Sequence, residues 1–139
     1  MPSAVADDAA APMAARAHFA ARLALETDCA DVHAALAAGA SDFVLLDVRG
    51  PEAYARGHVP GALNLPHRSI TAETLSSWPD ATLFVVYCAG PHCNGGDRAA
   101  LRLAGLGRRV KLMIGGITGW ADEGFAFATG PAPGGTAAE

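Results

Sequence analysis

Two short runs of apolar residues dominate the hydrophobic pattern, DFVLLDV at 42–48 and LFVVYC at 83–88. Each is bounded by turn residues and has the length of a strand, which predicts two buried strands. Residues 110–114, VKLMI, predict a third, and 62–65 a brief one after the turn at Pro60 and Gly61. Helical segments fall between and around them. In 12–25, Met13, Phe19, Leu23 and Leu25 mix with Arg16 and Arg22, which predicts an amphipathic helix packed on the body of the domain. Thr27 or Asp28 can cap a second helix that runs through Val32 and Leu36 and stops at Gly39. Pro51 opens a short helix that Gly57 ends, and further helices are expected at 73–78, 95–106 and 117–122. Strands alternating with helices predict an α/β fold whose parallel sheet is covered by helices on both faces.

The ends are different in kind. Residues 1–11 hold Ala, Pro and Asp without a period, and 130–139, GPAPGGTAAE, is small and polar, so both are expected to be disordered or flexible around one domain at 12–129. At 139 residues and 51% hydrophobic, the chain is long enough for a single core. Its net charge of −4, with lysine only at Lys111 and no basic run, speaks against nucleic acid as a partner. No apolar run approaches the roughly 20 residues of a membrane span, and the first residues lack the basic start and apolar heart of a secretory signal. Cys29, Cys88 and Cys93 are an odd number, which favours free thiols in a reducing compartment, with the cytoplasm as the default.

The chemistry concentrates at 85–100, VVYCAGPHCNGGDRAA. Cys88 ends a strand, a Gly/Pro-rich loop follows, and a helix begins near Gly95. Glycine lets such a loop turn its N–H groups inward, and the helix N-terminus adds partial positive charge, so a thiolate, a persulfide or a bound oxyanion is expected to be favoured there. Cys88 is the candidate nucleophile, beyond the carboxyl end of a strand where ligand sites of such sheets lie. The alternative is a buried structural thiol. Cys93 either resolves a modified Cys88 through a disulfide or is incidental, and Cys29 packs a helix face. Asp47 and Arg49 sit at a neighbouring strand end. Asp47 is expected to fix its loop through backbone N–H groups and Arg49 to pair with Glu52 or a nearby carboxylate, both supporting the site. His58 reads as a hydrogen-bonded turn residue. The histidines at 18, 33, 58, 67 and 92 have no ligand-like spacing, and Cys88, His92 and Cys93 lack a fourth partner, so no metal is expected. Gly95-Gly96 lacks what a phosphate fingerprint requires.

Three segments together resemble the single-domain rhodanese-like sulfurtransferases. LLDVRGPEAYARGHVPGALNLP at 45–66 is similar to the family's Asp-x-Arg, Glu, aromatic, His and Pro-Gly-Ala signature. VVYC at 85–88 is followed by a loop and helix, and MIGGITGW at 113–120 is similar to its Gly-Gly-x-x-x-Trp. The resemblance covers about 27–125. It implies a central parallel sheet of about five strands and transfer of a sulfane sulfur through a persulfide on Cys88, with no metal or organic cofactor. The donor would be thiosulfate or a persulfide, on a small molecule or a protein, and the acceptor cyanide or another thiol. The loop residues Ala89, Gly90, Pro91, His92, Cys93, Asn94, Gly95, Gly96 and Arg98 would bind the substrate.

The chain departs from the family where the loop usually has Arg-Ser or Arg-Thr five and six positions after the cysteine. Here those positions hold Cys93 and Asn94, and the loop reads about two residues longer. Only His92 and Arg98 are expected to supply positive charge, partly offset by Asp97, so a persulfide becomes as suitable a donor as thiosulfate. Three other functions stay open. A phosphatase would need an arginine near six positions after its cysteine, which Asn94 and Ala99 are not, although Arg98 falls five after Cys93. A thiol redox enzyme would cycle Cys88 and Cys93, and a binding module would present a persulfide to a partner. The oligomeric state is left open by the sequence.

Overall fold

The computed structural model of the chain describes residues 1–134. Its centre is a five-stranded, all-parallel sheet in the order β1-β5-β4-β2-β3. The strands are β1 (Glu26–Thr27), β2 (Val44–Asp47), β3 (Leu63–Asn64), β4 (Leu83–Tyr87) and β5 (Arg109–Met113). The helices are α1 (Pro12–Leu25), α2 (Cys29–Ala37), α3 (Pro51–Arg56), α4 (Gly95–Gly105) and α5 (Gly116–Asp122), with a 3₁₀ turn at His67–Ser69.

The two apolar runs become β2 and β4, which pair in register from Val44 opposite Phe84 to Asp47 opposite Tyr87. Successive side chains of a strand point to opposite faces, and both faces of this sheet are covered, which is why the runs are continuous rather than alternating. Leu45, Val85 and Tyr87 pack with Cys29, Val32, Met113 and Trp120 on one face. Leu46, Phe84 and Val86 pack with Ile70, Leu75, Ala99 and Leu103 on the other. From the central pair the chain leaves in opposite directions, to β3 beyond β2 and to β5 beyond β4. The carboxyl ends of β2 and β4 therefore flank a topological switch point, where sheets of this kind open a crevice.

The structure differs from the sequence reading in four places. Strand β1 is two residues long and polar, and it exists because Glu26 and Thr27 pair with Leu112 and Met113 of β5. No helix forms at 73–78. Thr71 and Thr74 instead exchange side-chain and backbone hydrogen bonds, and the Thr74 hydroxyl donates to Ser69 O at 2.9 Å, so side chains compete with the helical ladder. The Arg108 guanidinium then fastens the segment through Leu75 O, Trp78 O and Pro79 O. Helix α1 forms as expected and lies against β1 and β5, but it buries none of its residues, and Met13, Phe19 and Leu23 stay exposed. The flexible tail expected from 130 starts too early. Gly130 N–H donates to Ala55 O, and Pro133 O accepts from Gly61 N–H and faces the His58 ring. The remainder of that expectation, 135–139, lies outside the described residues. Residues 1–11 are exposed, with turns at 4–8.

Candidate active site

Cys88 follows the last residue of β4, and α4 begins at Gly95, its N-cap residue Asn94 making no side-chain capping bond. The loop between them is pinned from two sides. Within it, Cys93 N–H donates to Gly90 O at 3.1 Å and folds the loop back on itself. Beneath it, the start of α5 holds the carbonyls of Cys88 and Ala89 through Ile117 N–H at 3.1 Å and Thr118 N–H at 2.9 Å. This approach is what the Gly-Gly-x-x-x-Trp segment provides. Gly116 has φ of 56°, and a Cβ there would collide with Cys88 O. Cys29 backs the arrangement, its buried thiol donating towards Ile114 O and Gly116 O. Burial, followed by Asp28 and Glu123, pushes that thiol up to about 11, so Cys29 is an inert packing residue.

The fold-back brings Cys93 Sγ to 2.6 Å from Cys88 Sγ. Gly95 leaves the room for this contact, because a Cβ at that position would stand 2.7 Å from the Cys88 sulfur and 3.4 Å from the Cys93 sulfur. Burial, then the hydrogen bond to Cys93, push the Cys88 thiol up to about 11. Cys93 is lowered, first by its hydrogen bond with Cys88 and further by the N–H groups of Gly95 and Ala89. The Gly95 N–H, at the head of α4, points at Cys93 Sγ from 3.4 Å. The two neighbouring thiols are thus shifted in opposite directions, Cys88 up and Cys93 down.

Cys88, Ala89, Cys93, Asn94, Gly95 and Arg98 line one side of a cleft of about 940 Å³, whose other side is made by residues after β2 and β3, including Arg49, His67 and Arg68. Arg102, one helical turn beyond Arg98, completes the rim. Among the described residues no acidic side chain lines this cleft, and Arg68, Arg98 and Arg102 form no ion pair. Burial, then Arg68, Arg102 and Arg98, lower the His67 pKa, and the enclosed His67 Nδ1 has no hydrogen-bond partner among the described residues. The cleft is therefore more basic than the sequence suggested. His92, counted as a possible cation for the site, lies instead with Pro91 and Asp97 on the outer side of the loop, and Gly90 and Gly96 also face away from the main cleft. Arg102 could have been found from its i, i+4 spacing to Arg98. Nothing local marks Arg68.

Asp47 and Arg49 form a closed network beside the site. Asp47 is fully buried and accepts from Arg49 N–H, from the Arg49 guanidinium at 2.7 Å and from Tyr87 OH at 2.8 Å. Arg49 also donates to Gly57 O, so its partner is Asp47 and not Glu52. Tyr87 OH in turn accepts Val59 N–H. The buried His58 stacks on Tyr54 and has a ring nitrogen facing each of Tyr54 O and Pro133 O, and it does not line the cleft of Cys88. Among the described residues no cluster of His, Cys, Asp or Glu could hold a metal ion, and no helix is long and apolar enough to cross a membrane.

The chain is similar to known proteins. GlpE, a thiosulfate sulfurtransferase of Pseudomonas entomophila, is 39% identical over 88 residues, 62% of this chain and 77% of that protein. The HTH-type transcriptional regulator Rv0324 of Mycobacterium tuberculosis is 35% identical over 81 residues, 58% of this chain but 35% of the regulator, so the chain spans about a third of that relative. The crystal structure of the BH2092 protein of Bacillus halodurans superposes with a TM-score of 0.83 at 34% identity, covering 93% of this chain and 91% of that one. Residues 28–123, the span that contains β2 to β5, the loop of Cys88 and α5, match the rhodanese-like domain, and the chain belongs to that family.

Proposed function

We propose that the chain is a sulfurtransferase that moves a sulfane sulfur from an anionic donor to a thiophilic acceptor through a persulfide on Cys88. The observation that carries this reading is the position of Cys88 at the carboxyl end of β4, open to a cleft rimmed by arginines that have no carboxylate partner among the described residues. When Cys88 attacks the donor's outer sulfur, its proton passes to the Cys93 sulfur in contact with it. The bond between the donor's two sulfurs breaks, and sulfite leaves from thiosulfate, or a thiolate from a persulfide. The new persulfide lies under the Ala89 N–H and beside the head of α4, which favour its negative charge. Cyanide or a thiol then removes the outer sulfur and frees Cys88.

The cleft also speaks to the donor. Its volume is far beyond what thiosulfate fills and within the range of roughly 300–1,000 Å³ that holds larger ligands. Arg68, Arg98 and Arg102 suit a small persulfide that carries carboxylates. The test is thiocyanate formation from cyanide with thiosulfate and with a carboxylate-bearing thiol persulfide as donors. The expected result is turnover with both, a lower KM for the persulfide, and none above background for Cys88→Ala. Turnover by Cys88→Ala at the normal rate would overturn the proposal.

A further inference from the structure

We infer that Cys93 is an internal acceptor that discharges the Cys88 persulfide as hydrosulfide, so that the chain also acts as a thiol-dependent persulfide reductase. This inference rests on the sulfurtransferase reading and adds a second fate for the same intermediate. The geometry that supports it is local and built. The turn from Gly90 to Cys93 folds the loop so that the two sulfurs touch, and Gly95 is the residue whose missing Cβ admits both. The N–H at the head of α4 is aimed at Cys93 Sγ, the sulfur that must be a thiolate to attack. Cys93 is exposed and lines both the cleft and the outer side of the loop, so a disulfide formed there would be open to a reductant while the cleft is occupied. Cys29 cannot compete for this role, because it is buried with its thiol against Ile114 O and Gly116 O.

The chemistry balances without an external oxidant. Loading leaves Cys88 as a persulfide anion and Cys93 as a thiol. The Cys93 proton moves to the outer sulfur, the Cys93 thiolate attacks Cys88 Sγ, and the bond between Cys88 Sγ and the outer sulfur breaks. The products are a Cys88–Cys93 disulfide and hydrosulfide. The outer sulfur is reduced and the two cysteines are oxidised by the same two electrons. Hydrosulfide is a weaker base than an ordinary thiolate and leaves readily. A dithiol then restores both thiols and is itself oxidised to a disulfide, which closes the cycle.

The experiment begins with protein loaded by a small persulfide, freed of donor, and followed over time by intact mass, peptide mapping and sulfide release. Native protein is expected to pass from one sulfur heavier to lighter by the two thiol hydrogens, with one equivalent of sulfide, and added dithiol should make release continuous. Loaded Cys93→Ser and Cys93→Ala should keep the sulfur on Cys88 and release sulfide at least about tenfold more slowly, the loss of an intramolecular attack. Loading without a disulfide, release from the Cys93 variants at the native rate, or a sulfur that maps first to Cys88 and then to Cys93 would overturn the inference while leaving the sulfurtransferase reading standing. Failure of every form to load would overturn both.

Discussion

The loops after β2 and β4 leave the same end of the sheet from neighbouring strands, yet they treat their charges in opposite ways. After β2, every charged group is spoken for. Asp47 is buried and accepts from Arg49 and Tyr87, while Arg49 also holds Gly57 O and the Asn64 amide holds Asp47 O and Arg49 O. Burial, then Asp47, keep the Tyr87 phenol protonated as a fixed donor. After β4, by contrast, two sulfurs lie in contact and face arginines that have no carboxylate partner among the described residues. A network whose donors and acceptors satisfy one another can only hold its shape, whereas charges left facing a cleft are available to a ligand. The first loop is the frame against which the second does chemistry.

The most damaging way to test that division is Asp47→Ala. It leaves the Arg49 guanidinium, 13% exposed, and the Tyr87 hydroxyl without their partner, and the expected loss is about 3–5 kcal/mol of folding stability, read from urea denaturation. A change within about 0.5 kcal/mol would show that the network is not a frame. Arg98→Gln and Arg102→Gln should do the reverse. Both side chains sit on an exposed helix face, so stability should barely move, while KM for anionic donors rises about threefold to tenfold for each and loses part of its salt dependence. An unchanged KM would remove the cleft's arginines from donor binding. The smallest effect concerns pH. Cys93→Ser takes away the hydrogen bond and the negative charge that help raise Cys88, while burial, the larger cause, remains. A raised thiol pKa keeps the neutral form to higher pH, so in this variant the alkylation profile of Cys88, followed by peptide mass, should shift to lower pH. A profile that stays in place would show that the two thiols do not share a proton.

What could be read from the chain follows from how local its cause is. Strands β2, β4 and β5 and helix α4 are written in runs of neighbouring residues, and Cys88 stands out because a strand, a glycine loop and a helix meet at it. Strand β1 and the turns at 71–78 are decided by partners remote in sequence, Leu112 and Met113 for the first and Arg108 for the second. The same holds within the site. Arg68 reaches the cleft only because β3 lies beside β2, and no spacing rule announces it. The contact between Cys88 and Cys93 depends on the hydrogen bond from Cys93 to Gly90, so the sequence could name both thiols without showing that their sulfurs meet.

The central claim is that sulfur enters this protein at Cys88, and peptide mapping after brief loading of the reduced chain with thiosulfate or a small persulfide tests it most directly. The account predicts one added sulfur on the peptide containing Cys88, absent in Cys88→Ser, with Cys93 and Cys29 unmodified at the earliest time. A sulfur first found on Cys93, or loading that survives Cys88→Ser, would contradict it.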